Sequence, residues 1–123
     1  MKRFALLCLG VVLCAPELAH AQRLASMKTG KFAHICSNAS GYSVCDAYLG
    51  GIADGEALSY LAAHNNGDKN ALEGFCIPSD ETTAKMRDKV LTWIKAHKDS
   101  LEKPVGESVF TALHESYPCS ARQ

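Results

Sequence analysis

The sequence predicts an all-α fold, a small disulfide-stapled bundle of about four helices. Three observations carry that prediction. Apolar residues recur at helical spacing in separate segments, no run alternates apolar and polar residues long enough for a strand, and an even set of cysteines follows an export leader. A chain of 123 residues has room for one domain. Its 13 Lys+Arg balance 13 Asp+Glu, which leaves no surface for neutralising phosphates and argues against a nucleic-acid partner. At 47% hydrophobic residues it is too apolar to be disordered throughout.

The first 21 residues read as a signal peptide. Lys2 and Arg3 form the positive start, Phe4 to Ala15 the apolar stretch, and Ala19-His20-Ala21 the small-x-small cleavage site. The apolar stretch is short of the roughly 20 residues a membrane helix needs. Cys8 and Cys14 follow Leu7 and Leu13 rather than the small residue a lipoprotein site requires. Residues 22–123 are therefore expected to form a single periplasmic domain, with no membrane attachment after cleavage. Lys2, Arg3 and Glu17 leave with the leader, so 11 basic and 12 acidic side chains remain.

Within the mature chain, Thr29 is placed to cap a short helix whose inner face holds Phe32, Ile35 and Cys36. Ser37-Asn38-Ala39-Ser40-Gly41 is a turn by composition, and Ser40 is expected to cap a second helix from about Tyr42 to His64. Its inward face is Cys45, Tyr48, Leu49 and Ile52, continuing less clearly to Leu58 and Leu61. Gly50, Gly51 and Gly55 interrupt that pattern, and each costs about 1 kcal/mol relative to Ala in a helix. A neighbouring backbone packed closely against them, or a kink, is the expected compensation. They lack the Gly-x-Gly-x-x-Gly spacing and the following Lys-Ser/Thr of a phosphate-cradling loop.

Asn65-Asn66-Gly67-Asp68 ends the second helix, and the linker leads to an extended Phe75-Cys76-Ile77-Pro78, because the residue before a proline avoids the α region. Thr82 caps the third helix, whose stripe is Met86, Val90, Trp93, Ile94 and His97. Lys85, Arg87, Asp88, Lys89 and Lys95 fall largely outside that stripe. Lys98 to Lys103 is a polar connection. Pro104 suits the first position of a fourth helix, where its missing N–H costs nothing. Val105, Val109, Ala112, Leu113 and Tyr117 line its inner face, and Pro118 ends it.

Cys36, Cys45, Cys76 and Cys119 remain after the leader. In a short exported chain they read as structural disulfides. No two stand at Cys-x-x-Cys spacing, and no His pair has zinc-site spacing, so no metal or other cofactor is expected. Four cysteines allow three pairings. In an up-down bundle Cys36 and Cys45 share one end, while Cys76 and Cys119 share the other. That topology prefers Cys36–Cys45 with Cys76–Cys119, and the long linker leaves the crossed set, Cys36–Cys119 with Cys45–Cys76, open. No catalytic residue is assigned: Ser43, His64 and Asp46 can be picked as a triad, yet no nucleophile elbow supports them.

Read in order, Cys36 closes a short helix and Cys45 sits in GYSVCDAYLGGIADG, with Cys45, Tyr48 and Gly51 forming Cys-x-x-Tyr-x-x-Gly. Phe75-Cys76-Ile77-Pro78, the capping Thr82, a helix ending in His97 and a terminal Tyr117-Pro118-Cys119 follow. From about Phe32 to Cys119 this pattern resembles the Rap/Tai family of type VI secretion amidase immunity proteins. The resemblance implies an exported helical protein that binds and blocks a secreted peptidoglycan amidase delivered by sister cells. It also implies that a homodimer is one form the chain could take, and that a protruding loop enters the amidase cleft. Two departures stand out: Lys85 replaces a Gln that would complete a capping box with Thr82, and Lys98 replaces a proline after His97. The second leaves the 98–103 connection more charged and is expected to loosen its start. Asp99, Ser100, Leu101 and Glu102 are the partner-binding candidates. A general periplasmic binding or chaperone-like protein is the alternative reading, favoured by exposed apolar surface and by titratable His34, His64, His97 and His114.

Overall fold

The computed structural model describes residues 25–120, so the leader and its cleavage site lie outside the described residues. Four α-helices follow one another: α1 (Thr29–Cys36), α2 (Tyr42–Asn65), α3 (Thr83–Ala96) and α4 (Val105–Ser116). Short 3-10 turns, Ala39–Gly41 and Lys98–Ser100, join α1 to α2 and α3 to α4. The only β-type pairing among the described residues is an isolated bridge between Lys28 and Pro104. α3 packs on α4 and α2, and α1 lies against the other three helices. Phe32, Leu49, Met86, Val90, Ile94, Val109 and Leu113 fill the space between them, where burying each large side chain is worth about 1.5–3 kcal/mol.

α1 does not start as expected. Lys28 occupies the N-cap and supplies no side-chain capping bond. Thr29 lies one position further in and is fully buried, its hydroxyl 2.8 Å from Ser108 Oγ and 3.1 Å from the Lys103 carbonyl. The orphan N–H groups of the first turn are satisfied from the far end of the chain: Thr29 N donates to Lys103 O and Gly30 N to Leu101 O, at 3.0 and 2.9 Å. Tertiary carbonyls thus replace a local cap.

The turn into α2 differs for a related reason. Gly41, not Ser40, stands at the N-cap. The chain doubles back so tightly that a Cβ on Gly41 would sit 2.2 Å from the Ile35 carbonyl oxygen. Only glycine fits there. Cys36 and Cys45 bridge this turn, their Cα atoms 5.6 Å apart.

α2 then runs unbroken through Gly50, Gly51 and Gly55. No atom lies within 4 Å of where a Cβ would be at any of the three, so the expected close backbone neighbour is absent. Leu58 and Leu61 also depart from the expected inward face: they are 64% and 50% exposed. The buried line is Cys45 and Leu49, flanked by Tyr48, Ile52 and Ala53. At 24 residues α2 is about 36 Å long, against about 21 Å for the 14-residue α3, and its second half outruns the partners that would cover both sides. It ends in a Schellman motif, with Gly67 at φ +89°, Gly67 N donating to His64 O and Asp68 N to Ala63 O.

α3 and α4 follow the sequence pattern closely. Thr82 Oγ1 accepts from Lys85 N at 3.2 Å. All five residues of the α4 stripe, Val105, Val109, Ala112, Leu113 and Tyr117, are buried. Pro104 stands at the N-cap, so the helix starts at Val105, one residue later than expected. One exception is Arg87, which is buried rather than outside the stripe. Its guanidinium lies 3.8 Å over the Tyr42 ring and donates to Asp46, clamping α3 onto α2.

Candidate protein-interaction surfaces

Three surface features differ from a plain solvated face. The first is the connection between α3 and α4. Besides the two carbonyls that hold α1, Glu102 O accepts from Lys28 Nζ at 2.7 Å and Val105 N donates to Met27 O at 2.9 Å. Ser100 Oγ donates to His97 O at 2.6 Å. The connection is therefore stitched down along its length, contrary to the looser start expected from Lys98. Of the four candidates, Asp99 and Glu102 are exposed and Leu101 is half-buried against Gly30. Ser100 is 1% exposed. It is a folding residue, because its hydroxyl is spent on the 3-10 turn and no partner could reach it.

The second feature is a groove of about 1040 Å³ around the Cys76–Cys119 disulfide, lined by Tyr60, Leu72, Pro78, His114 and Tyr117 among others. Cys76 N donates to Tyr117 O at 2.8 Å, which holds the extended segment against the end of α4. Glu81 sits at the junction of three elements. It accepts from Lys89 Nζ at 3.0 Å and from the Tyr117 hydroxyl at 3.1 Å, while Lys89 Nζ also lies 4.0 Å from the Tyr117 ring centroid. The bond from Lys89 is the main cause holding the Glu81 carboxyl below its ordinary range, and the Tyr117 hydroxyl and Thr82 amide add to it against partial burial. The same Glu81–Lys89 bond raises Lys89, and burial raises Tyr117 and Tyr48.

Glu73, Cys76 and Cys119 come close enough to suggest a metal site. Both sulfurs are bound to each other, however, so neither is the thiolate a soft metal requires. The triad that can be picked from the sequence does not assemble either. Asp46 and His64 lie on one helix 18 residues apart, about 27 Å along its axis. Asp46 holds Arg87, and His64 stacks on Tyr60.

The third feature is the outer side of α2, where Val44, 56% exposed, shares a face with the exposed Leu58 and Leu61 further along the helix. The sequence pattern hid this face because leucine in a helix reads as core. The signal that could have found it is period: Leu58 and Leu61 lie opposite Cys45, Leu49 and Ile52 on a 100° wheel.

A family model for Rap1a immunity proteins matches residues 28–119, three quarters of the sequence and nearly all of the described fold. The chain belongs to the Rap1a immunity protein family. The matched span starts at Lys28, where the first helix is tied to the 98–103 connection, and ends at Cys119 of the second disulfide. No curated protein and no solved structure matches the chain. Membership in the Rap1a family implies that the chain binds a partner effector protein. Among the described residues no helix is long and apolar enough to cross a membrane.

Proposed function

We propose that this chain is a periplasmic immunity protein that binds and inhibits a type VI secretion peptidoglycan amidase effector, protecting the producing cell from its sisters. Membership of the Rap1a family over residues 28–119 is the observation that carries the reading. The scaffold suits it: two disulfides and the sewn-down 98–103 connection leave little backbone to order on binding, which limits the entropy cost of association. Inhibition of this kind needs surface complementarity and no chemistry of the chain's own. A standard interface takes about 800 Å² from each partner, well within reach of a domain this size. The test is co-expression with a type VI secretion amidase effector of the producing cell. Co-purification and loss of peptidoglycan cleavage are expected; full cleavage activity in an equimolar mixture refutes the reading.

One observation favours the alternative, a general periplasmic binding or chaperone-like role: Leu72 is 88% exposed in a groove that Tyr60, His114 and Tyr117 also line. Aggregation assays with unrelated unfolding proteins separate the two. Suppression of aggregation for several clients supports the alternative, and an immunity protein protects none of them.

A further inference from the structure

The outer face of α2 has no role inside the molecule. Val44, Ala47, Gly51, Asp54, Leu58 and Leu61 recur at alternating steps of three and four, a single seam along one side of the helix. Its three large apolar members are half or more exposed, and an added Cβ at Gly51 or at the neighbouring Gly55 would meet nothing within 4 Å. Packing in the monomer therefore accounts for neither the leucines nor the glycines.

Charge says what kind of surface would cover it. From Phe32 to Asp68 the chain has no Lys or Arg, while it has Asp46, Asp54, Glu56 and Asp68. Asp46 is spent on Arg87, and Glu56 accepts from the Gly74 amide. Asp54 alone lies on the seam, and it forms no ion pair among the described residues. A second copy is a poor match. α2 spans 42–65, so two copies paired antiparallel about their midpoints bring Asp54 next to Asp54, and like charges at such a contact oppose association. A cationic partner is a good one.

We propose that this seam docks the effector itself, through an apolar ridge that carries a lysine or arginine opposite Asp54. The inference rests on the immunity reading above and deepens it. Peptidoglycan stem peptides bear free carboxylates, and lysine or arginine side chains at an amidase's substrate face would pair with them. An inhibitor covering that face presents apolar and acidic groups and no basic ones. The glycines let the partner backbone approach α2 closely, and Leu58 and Leu61 supply the anchors. A strip about 36 Å long and about 10 Å wide offers roughly half of the 800 Å² of a standard interface, so the seam acts with a second contact.

The test uses the full mature chain and that amidase effector, inactivated in its catalytic site. Gly51→Leu, Asp54→Lys and Leu58→Asp are compared with wild type by calorimetric titration, with sedimentation of each protein alone. Wild-type binding with affinity at least tenfold weaker for each variant is expected. Gly51→Leu should also keep its helix content and melt no lower than wild type, because its side chain enters open space. If wild type binds and all three variants bind equally well, the seam proposal fails while the immunity function stands. If the variants instead turn a wild-type dimer into a monomer and leave effector affinity unchanged, the seam is a self-interface and the proposal is overturned. If wild type itself does not bind the effector, the immunity reading fails and takes this one with it.

Discussion

Removing the Cys76–Cys119 bridge tests whether loop closure or burial makes this fold stable. The bridge closes a loop of 43 residues that contains all of α3, the 98–103 connection and α4. In the chain-entropy model that loop is worth about 4 kcal/mol, and the 9-residue loop of Cys36–Cys45 about 2.6 kcal/mol. Both cysteines of the longer bridge are only half-buried, so Cys76→Ala/Cys119→Ala leaves little cavity. Cys36 and Cys45 are fully buried, so losing them adds a packing cost to the smaller entropy term. The predicted loss for the Cys76/Cys119 double variant is therefore about 4 kcal/mol. For a domain near 100 residues that corresponds to a melting point lower by roughly 15–30 °C. Urea unfolding followed by far-ultraviolet circular dichroism, with the slope checked for a change in the unfolded state, gives the number. A loss under about 1 kcal/mol with an unchanged slope refutes the loop-closure account. The stability would then reside in the helix contacts alone.

Four further outcomes follow from individual contacts. Arg87→Ala strands Asp46 and uncovers Tyr42, and should cost about 2 kcal/mol in urea unfolding, less than a fully buried pair because Asp46 keeps some water. Gly51→Ala should stabilise by up to about 1 kcal/mol, since its new methyl meets nothing, whereas Gly41→Ala must displace the Ile35 carbonyl and should lower the melting point measurably. Glu81 has its pKa lowered by folding, so its contribution is complete above the ordinary carboxylate value of about 4.3 and is lost as pH falls through the lower folded value. Stability measured along that acid range should fall in wild type and fall less steeply in Glu81→Gln. Charge reversal at both Asp99 and Glu102, the exposed members of the 98–103 connection, should weaken effector affinity at least fivefold if that connection shares the interface; unchanged affinity removes it.

The amino-acid order alone determines where the helices lie. Each is specified by relations within four or five residues: the apolar stripes of α3 and α4, the Thr82 cap, and the turn at Gly67. Such short-range signals survive without knowledge of the fold. What failed concerned contacts across the chain. Thr29 was read as a cap because Thr caps helices, but Lys103 and Leu101, more than seventy residues on, satisfy that end and leave its hydroxyl for Ser108. Arg87 looked solvent-facing until Tyr42 and Asp46 came beside it. Ser100 looked like a surface contact, yet the 3-10 turn draws it inside. Gly50, Gly51 and Gly55 looked close-packed and Leu58 and Leu61 looked inward-facing, yet nothing would meet a Cβ at the glycines and both leucines are half or more exposed. Periodicity tells which residues share a face, whereas only the placement of the other helices decides which faces are covered. That is why the candidate partner surfaces of this chain became visible only in three dimensions.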